Sequence, residues 1–242
     1  MLTFPEGPYL VTGASGGIGG ATARRLLAEG CEVYASGRST QDLAKFCAET
    51  GAKSLPFDLT KEDEIKDAVS GTAWVGIVNC GGDGGEIATP QDTDINVFDR
   101  VIAVNARGTL LVIKYAVPAM IEANRGGSIV NVSSQASLVG LRGHISYGSS
   151  KAAVDNITRV SALELGHYGI RVNAVNPTVV MTPMSAWYWD RPDTGGELLH
   201  TMPLGRYATE DDIAGPIAFL LSRDAAMISG VTLAIDGGFT VV

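Results

Sequence analysis

Tyr147 and Lys151 stand four residues apart in the segment YGSSK, where the surrounding sequence pattern is helical. Positions i and i+4 of a helix share a face, so we expect the phenol and the ammonium to lie side by side. A tyrosine with a pKa of about 10 exchanges protons poorly near neutrality, whereas a positive charge within roughly 4–6 Å favours the phenolate. The spacing indicates proton-transfer chemistry, but a packed tyrosine and a solvated lysine fit it as well.

The elements that must position this pair follow an alternation of short apolar runs and longer helical patterns, typical of βαβ units. We predict strands at 9–11, 32–35, 53–57, 75–79, 128–132, 171–175 and 231–235, and helices at 17–29, 40–50, 61–70, 97–123, 146–166 and 210–222. These elements predict a single α/β domain over residues 1–242. It would be a Rossmann-type, doubly wound, seven-stranded parallel sheet with helices on both faces.

Residues 183–206 interrupt the alternation with three prolines, two adjacent glycines and the aromatic tripeptide WYW at 187–189. A long irregular segment in a compact domain is usually functional or disordered. We interpret it as an insert that forms a lid over a substrate.

The composition excludes several classes of protein. The net charge of −8 over 242 residues argues against a partner that needs phosphate neutralisation, such as a nucleic acid. Cys31, Cys47 and Cys80 form no CxxC pair and have no neighbouring histidines, so we expect no disulfide framework and no metal site. We see no leader sequence and no continuous apolar run of membrane-spanning length, and therefore expect a cytoplasmic protein without a membrane partner.

The segment TGASGGIG at 12–19 follows the first predicted strand and opens the first predicted helix. Glycines there allow a tight turn and a close approach to a pyrophosphate, whose charge is met by the helix N-terminus. Its GxxxGxG spacing differs from the common GxGxxG pattern, and glycines also form ordinary turns. The candidate cofactor residues in this turn are Gly13, Ser15, Gly17, Ile18 and Gly19.

The end of the second predicted strand carries Arg38, Ser39 and Thr40, with no carboxylate where an acid would grip the ribose of NAD. Arg38 can form charge-assisted bonds to a 2′-phosphate, and the two hydroxyls add donors. We therefore predict NADP(H) as cofactor. Asp42 folding back to the ribose is the alternative, and it would favour NAD.

With TGxxxGxG near its start and YxxxK near its middle, the whole chain resembles the short-chain dehydrogenase/reductase family. The resemblance implies carbonyl–alcohol interconversion by hydride transfer. Ser134 would bind the carbonyl oxygen, with Ser133 the weaker candidate, and Tyr147 would deliver the proton. Lys151 would lower the tyrosine pKa and hold the nicotinamide ribose. Asn105 would anchor a water that links Lys151 to solvent.

The same resemblance implies further cofactor contacts. Residues that match the family's positions are Asp58 and Leu59 beside the adenine, Asn79 after the fourth strand, and Val180 and Thr182 beside the nicotinamide amide. Tyr147 and Lys151 belong to the cofactor set as well. Two positions depart from the family pattern. Cys80 replaces a bracing asparagine and is followed by extra glycines that predict a looser loop, and Thr178 replaces a glycine.

Within the family, the segments IVNVSSQ at 129–135 and IRVNAVNPTVVMT at 170–182 are similar to the dicarbonyl/L-xylulose reductase subgroup. That likeness implies NADPH-dependent reduction of small ketoses or α-dicarbonyls. Gln135, His144 and Trp189 would face the substrate with Ser134 and Tyr147, and Trp187 or Tyr188 are alternatives to Trp189. A sorbitol or xylitol dehydrogenase working oxidatively is the main enzymatic alternative, and a non-catalytic NADP(H) sensor is the remote one.

Members of the family usually form tetramers through two long central helices. In this chain those would be 97–123 and 146–166, which carry many apolar positions. The resemblance therefore implies a homotetramer.

Overall fold

The protein was examined as a computed structural model, which describes residues 2–182 and 185–241 and only the backbone of Pro192, Asp193 and Glu197. Residues 183 and 184, the first two of the predicted insert, lie outside the described part. The strands are β1 (Pro8–Thr12), β2 (Glu32–Ser36), β3 (Lys53–Ser54), β4 (Gly76–Asn79), β5 (Gly127–Val132), β6 (Ile170–Pro177) and β7 (Thr232–Ile235). They form one parallel sheet in the order β3-β2-β1-β4-β5-β6-β7.

Helices connect these strands. They are α1 (Gly17–Ala28), α2 (Thr40–Thr50), α3 (Glu62–Val69), α4 (Ile95–Ile102), α5 (Gly108–Ala123), α6 (Ile145–Leu165), α7 (Ala186–Trp189), α8 (Glu197–His200) and α9 (Glu210–Leu221). A π-helical turn, Ala103–Arg107, joins α4 to α5, and a second one, Pro192–Gly196, precedes α8. One π-helical turn therefore contains Asn105, and the other lies in the predicted insert at 183–206.

Both faces of the sheet are covered by helices, as a parallel sheet requires. Successive strand residues point to opposite faces, so Val11 shares a core with Leu26 of α1 and Ile213 of α9. Its neighbour Leu10 belongs instead to the core that contains Val112 of α5. These two cores confirm the predicted single, doubly wound α/β domain.

The strand order places a crevice at the carboxyl ends of the central strands. β1 pairs with β2 on one side and with β4 on the other, so the direction of winding reverses between them. Open α/β sheets bind ligands at such a switch point. The predicted site residues follow the ends of β1, β2, β4, β5 and β6, which all lie on this edge.

Two element boundaries differ from the sequence prediction for physical reasons. The helix expected over 97–123 begins at Ile95, where Asp94 caps it, and is interrupted by the π-helical turn that contains Asn105. The strand expected over 53–57 is only two residues long, because Pro56 has no N–H to continue the ladder.

The continuous segment Ile95–Ala123 is long and apolar enough to cross a membrane, by length and composition, with a mean hydropathy of 1.3. In the 18-residue stretch of this segment that meets the hydropathy test, 56% is buried inside the protein. Val112, Ile113 and Met120 of this segment belong to the core against the sheet. We therefore assign it as a core helix.

Candidate active site

The turn between β1 and α1 forms a cradle of glycine backbone at the switch point. Gly13 adopts a left-handed conformation with φ +65°, and a Cβ on Gly19 would lie 2.3 Å from the Gly13 carbonyl oxygen. Only glycines allow α1 to start this close to the strand. The N-cap residue Gly16 provides no side-chain cap, and the first turn of α1 contains no acid. The first N–H groups of α1 are thus available for an anion, as a pyrophosphate requires.

The segment after β6 closes the cradle from the other side. A Cβ on Gly17 would lie 2.5 Å from Cγ2 of Thr182, so these two predicted cofactor residues are neighbours. Val180 is buried and forms an isolated β-bridge with Ala208. Ser15 is exposed on the turn, and Ile18 is half-buried. The structure thereby brings most of the predicted phosphate and nicotinamide residues together.

Arg38, Ser39 and Thr40 are exposed at the carboxyl end of β2, where a 2′-phosphate was predicted. The Ser39 hydroxyl accepts a hydrogen bond from the Asp42 N–H at 3.3 Å and so caps α2. Its O–H hydrogen is still available as a donor. Asp42 lies in the first turn of α2, so the structure keeps both the predicted basic set and its acidic alternative at this corner.

Asp58 and Leu59 shape the adenine side in different ways. The Asp58 carboxylate accepts hydrogen bonds from the N–H and the hydroxyl of Thr60, both at 2.8 Å. Leu59 fills the space beside two glycines, since a Cβ on Gly81 or Gly108 would approach its side chain within 2.7 Å and 2.9 Å. Asp58 and Leu59 thus line the adenine side of the crevice in a defined conformation.

Asn79 is buried at the end of β4 and donates a hydrogen bond to Asn131 Oδ1 at 2.8 Å. Asn131 in turn donates to the Thr158 hydroxyl of α6 at 2.8 Å. Among the described residues, Asn79 Oδ1 has no partner. A buried polar atom costs free energy unless a partner meets it, so this oxygen suits a ligand hydroxyl. Sequence reasoning missed Asn131 and Thr158, although two asparagines at matching strand ends were a usable signal.

The loop after β4 is bonded to the end of β1. The N–H groups of Cys80 and Gly81 both donate to the Thr12 hydroxyl at 3.0 Å. Burial raises the pKa of the Cys80 thiol to about 12, so this residue is a neutral packing group. Thr12 and the contacts of Asp83 described below thus bind the loop where the family's asparagine is missing.

Lys151 lies on α6, and its buried Nζ donates to the Val132 carbonyl at 2.8 Å. Nζ lies 5.6 Å from the centroid of the Tyr147 ring, on the face predicted by the four-residue spacing. Burial lowers the pKa of the Lys151 ammonium to about 8. The lysine thus remains mostly charged at pH 7 but loses its proton readily above that.

Tyr147 differs from the sequence expectation in its electrostatics. Burial raises the pKa of its phenol, and a hydrogen bond with the Ser134 hydroxyl offsets part of that rise. Lys151, whose ammonium is directed at the Val132 carbonyl, is not among the groups that shift this pKa. The phenol is therefore a protonated donor near neutrality.

Ser134 is the serine that faces Tyr147, whereas the Ser133 hydroxyl donates to the Lys151 carbonyl at 3.0 Å. Ser134 Oγ accepts from the Ala136 N–H at 3.1 Å, which fixes the side chain and leaves its O–H free to donate. The preference for Ser134 over Ser133 thus agrees with the geometry.

Asn105 lies in the π-helical turn and is buried. Such turns are frequent at functional sites. Its Nδ2 donates to the Asp83 carbonyl and to the Ser150 hydroxyl, both at 2.9 Å, and its Oδ1 accepts from the Asp83 N–H at 2.7 Å. Both amide hydrogens are therefore in use, which leaves only one Oδ1 lone pair for the predicted water.

The substrate side contains three of the predicted residues. Gln135 is buried next to Ser134, and its Oε1 has no partner among the described residues. The ring of His144 stacks on Trp189 with centroids 5.6 Å apart and an interplanar angle of 17°. Tyr188 contacts the same ring edge-on, whereas Trp187 is 61% exposed. Trp189 and Tyr188 rather than Trp187 therefore line this side.

The protonation of His144 follows from its contacts. Nδ1 lies 2.7 Å from the Arg142 carbonyl, which can only accept, so Nδ1 carries the hydrogen. Burial lowers the pKa of the imidazole. A neutral ring with Nε2 as acceptor results, and this suits a substrate hydroxyl.

Comparison with known proteins places this arrangement in a family. Residues 13–240 match the family described as enoyl-(acyl carrier protein) reductase. The chain is 39% identical to L-xylulose reductase of Caenorhabditis elegans, over 98% of this chain and 97% of that protein. It is 39% identical to D-erythrulose reductase of Gallus gallus, over 99% and 98%. It is 35% identical to D-threitol dehydrogenase of Mycolicibacterium smegmatis, over 96% and 92%.

Among solved structures, a short-chain type dehydrogenase/reductase from Mycobacterium ulcerans superimposes with a TM-score of 0.95 at 32% identity. It covers 99% of this chain and 92% of its own. The chain belongs to the short-chain dehydrogenase/reductase family. It is an oxidoreductase of that family with a Rossmann fold, and the family fold implies a nicotinamide cofactor. Several of its relatives are named for the reduction of small ketoses.

Proposed function

We propose that this enzyme reduces a small ketose or α-dicarbonyl to the alcohol with NADPH, and that Tyr147 is the general acid. The observation that carries the proposal is a half-buried tyrosine that faces the Ser134 hydroxyl, has the Lys151 ammonium 5.6 Å from its ring, and has a phenol pKa raised by desolvation. A phenol that stays protonated at neutral pH suits the reductive direction, in which it gives up a proton.

The bound cofactor would supply a hydride to the carbonyl carbon. Negative charge then develops on the carbonyl oxygen, which Ser134 and Tyr147 meet with two hydroxyl donors. Tyr147 transfers its proton to that oxygen. Lys151 places a positive charge beside the resulting phenolate, and its Nζ, which donates to the Val132 carbonyl at the end of β5, would also hold the nicotinamide ribose.

NADPH as the cofactor is supported by the exposed guanidinium of Arg38 beside the hydroxyls of Ser39 and Thr40. The uncapped N-terminus of α1 suits the pyrophosphate, and the unpartnered Asn79 Oδ1 suits a hydroxyl deeper in the crevice. Asp58, Leu59, Val180 and Thr182 complete the proposed contacts.

Substrate choice is assigned to Gln135, His144 and Trp189. Gln135 Oε1 and His144 Nε2 are buried acceptors, which suit the hydroxyls of a small sugar. A site that leaves such groups unpaired discriminates against substrates that lack those hydroxyls. Trp189 stacks on the His144 ring and so provides apolar surface beside these acceptors.

A second candidate is a polyol dehydrogenase that works oxidatively. The similarity to D-threitol dehydrogenase favours it. It needs a tyrosine phenolate as base, so the raised pKa of Tyr147 predicts that oxidation requires a more alkaline pH than reduction. A non-catalytic NADP(H) sensor is the remote alternative.

We also propose a cytoplasmic homotetramer. Leu110 of α5 and Val160 and Leu163 of α6 are exposed apolar residues on the two long helices predicted to associate. Sizing chromatography with light scattering tests this, and a mass of 25.2 kDa, that of one chain, contradicts it.

The reaction is tested by following NADPH oxidation with purified protein over small diketones, ketopentoses and ketohexoses. NADH with the same carbonyls and NAD⁺ or NADP⁺ with sorbitol, xylitol and threitol are run in parallel. We expect NADPH with a small ketose or diketone to give the highest kcat/KM. Faster turnover of NAD⁺ with a polyol would establish the dehydrogenase instead.

A further inference from the structure

The loop after β4 carries one charged residue among glycines, in the segment CGGDGG at 80–85. A glycine-rich loop has high conformational entropy, so something must hold it in a single form. Asp83 provides that constraint with its side chain. Its carboxylate accepts from the Gly85 N–H and from Arg100 Nε, at 2.8 and 2.9 Å.

These two contacts join separate parts of the fold. Arg100 lies in the last turn of α4, five residues before Asn105, and Gly85 adopts a left-handed φ of +70° that ends the loop. Burial raises the pKa of Asp83, but the Gly85 N–H and the Arg100 guanidinium outweigh it and keep the pKa below its usual range. The carboxylate is thus charged at neutral pH and holds the loop against α4.

The backbone of Asp83 in turn binds the side chain of Asn105 at two points. The Asp83 N–H donates to Asn105 Oδ1 at 2.7 Å, and the Asp83 carbonyl accepts from Asn105 Nδ2 at 2.9 Å. The preceding residue, Gly82, adjoins both site groups. A Cβ built on it would lie 3.2 Å from Asn105 Oδ1 and 3.6 Å from Lys151 Nζ. The loop therefore forms the wall against which Asn105 and Lys151 are held.

We infer that Asp83, paired with Arg100, is a positioning residue that acts through Asn105 on Lys151 during the proposed carbonyl reduction. The inference rests on the proposed function. Exposed ion pairs contribute little to overall stability, and the Asp83 and Arg100 side chains are 28% and 52% exposed. The role of this pair is to keep the loop in the one conformation that fits the Asn105 amide.

A double-mutant cycle tests whether Asp83 acts through Asn105. We expect Asp83→Ala to lower kcat about tenfold with little change in KM, because small displacements of positioning groups are costly. Asn105→Ala should lower kcat at least as much, and the double variant should match Asn105→Ala alone. Asp83→Asn keeps an acceptor for the Gly85 N–H but loses the ion pair with Arg100, so it should recover only part of the lost kcat. Additive losses, or an unchanged kcat in Asp83→Ala, would overturn the inference.

The matched control is Glu32→Gln, which removes an exposed ion pair to Lys53 at the amino end of β2 and leaves the 103–108 turn untouched. It should leave kcat within about twofold. Hydrogen exchange of peptides that cover 103–108, measured without substrate, separates this inference from the proposed function. Exchange there should rise in Asp83→Ala but not in Glu32→Gln. Equal exchange in both variants contradicts the positioning role, whether or not the wild type reduces carbonyls.

Discussion

The tetrad formed by Asn105, Ser134, Tyr147 and Lys151 and the insert around Trp189 border the same crevice but are built differently. The tetrad lies just after β5, on α6 and in the π-helical turn, and the polar side-chain atoms of Asn105, Ser134 and Lys151 are hydrogen-bonded to backbone groups. The insert consists of two single-turn helices, α7 and α8, separated by a π-helical turn. The tetrad is thus suited to carry out the reaction, and the insert is suited to determine which substrates bind.

The way each region is anchored explains the difference. Lys151 Nζ is bound to the sheet through the Val132 carbonyl. In the described part of the insert, Met202 and Leu198 are buried and Trp189 stacks on His144, and the Leu204 N–H donates to the Gly237 carbonyl. Side-chain packing tolerates replacement better than buried polar geometry does. Changes in the tetrad should therefore reduce kcat, whereas changes in the insert should mainly affect KM.

Apart from replacement of Tyr147, the largest effect is expected for Lys151→Met. Methionine fills a similar volume but removes the buried ammonium beside the Tyr147 ring and the bond to Val132. We expect kcat to fall about 10³-fold. Steady-state kinetics with NADPH and the best substrate measure this, with circular dichroism as the control for folding. A loss below about tenfold would remove Lys151 from the tetrad.

Arg38→Ala tests the cofactor corner, which lies apart from both regions. The guanidinium is exposed at the end of β2, so its removal should leave the fold and kcat intact. We expect KM for NADPH to rise about 30-fold, because a charge-assisted bond to phosphate is lost. KM for NADH should stay within about twofold. Equal changes for both cofactors would contradict the assignment of Arg38 to a 2′-phosphate.

Trp189→Ala should raise the substrate KM about tenfold and leave kcat within about threefold, since it removes apolar cover from His144. Trp187→Ala is the matched control, because Trp187 is 61% exposed and contacts Tyr188 rather than His144. It should change neither constant appreciably. If both variants behave alike, the insert chooses substrates by overall packing rather than through Trp189.

The pH profile gives the smallest expected effect. The Lys151 pKa of about 8 in the folded protein lies below its usual value of 10.5, so the unfolded chain binds more protons between these pH values. The native state therefore gains relative stability from this group as pH rises from 8 to 10.5. Reduction, by contrast, should slow about fivefold between pH 8 and 9 as Lys151 loses its charge. The residual activity of Lys151→Arg should lack this decline. A wild-type rate that does not change between pH 8 and 9 would contradict the assignment of the decline to Lys151.

Much of this arrangement could be predicted from the sequence. The apolar runs predicted most strands to within one or two residues because buried parallel strands are nearly continuous in hydrophobicity. The four-residue spacing placed Tyr147 and Lys151 on one face of α6, as observed. Family resemblance supplied Ser134 and His144, which no local pattern would have selected.

Other features depend on contacts between distant segments and have no local signal. The π-helical turn at Asn105 reflects its bonds to Asp83 and Ser150, which lie 22 and 45 residues away in sequence. The direction of Lys151 Nζ toward Val132 and the burial that raises the pKa of Tyr147 both depend on how α6 packs on β5. The bracing role of Asp83 is likewise visible only once the loop and α4 are adjacent.

The most direct test of the central claim is turnover by Tyr147→Phe, with NADPH binding measured by fluorescence in the same sample. Phenylalanine keeps the ring beside Lys151 and removes only the hydroxyl that Ser134 contacts. The account predicts an NADPH Kd within about twofold of wild type and a loss of kcat of about 10³-fold or more. Undiminished carbonyl reduction by this variant would show that Tyr147 is not the proton donor.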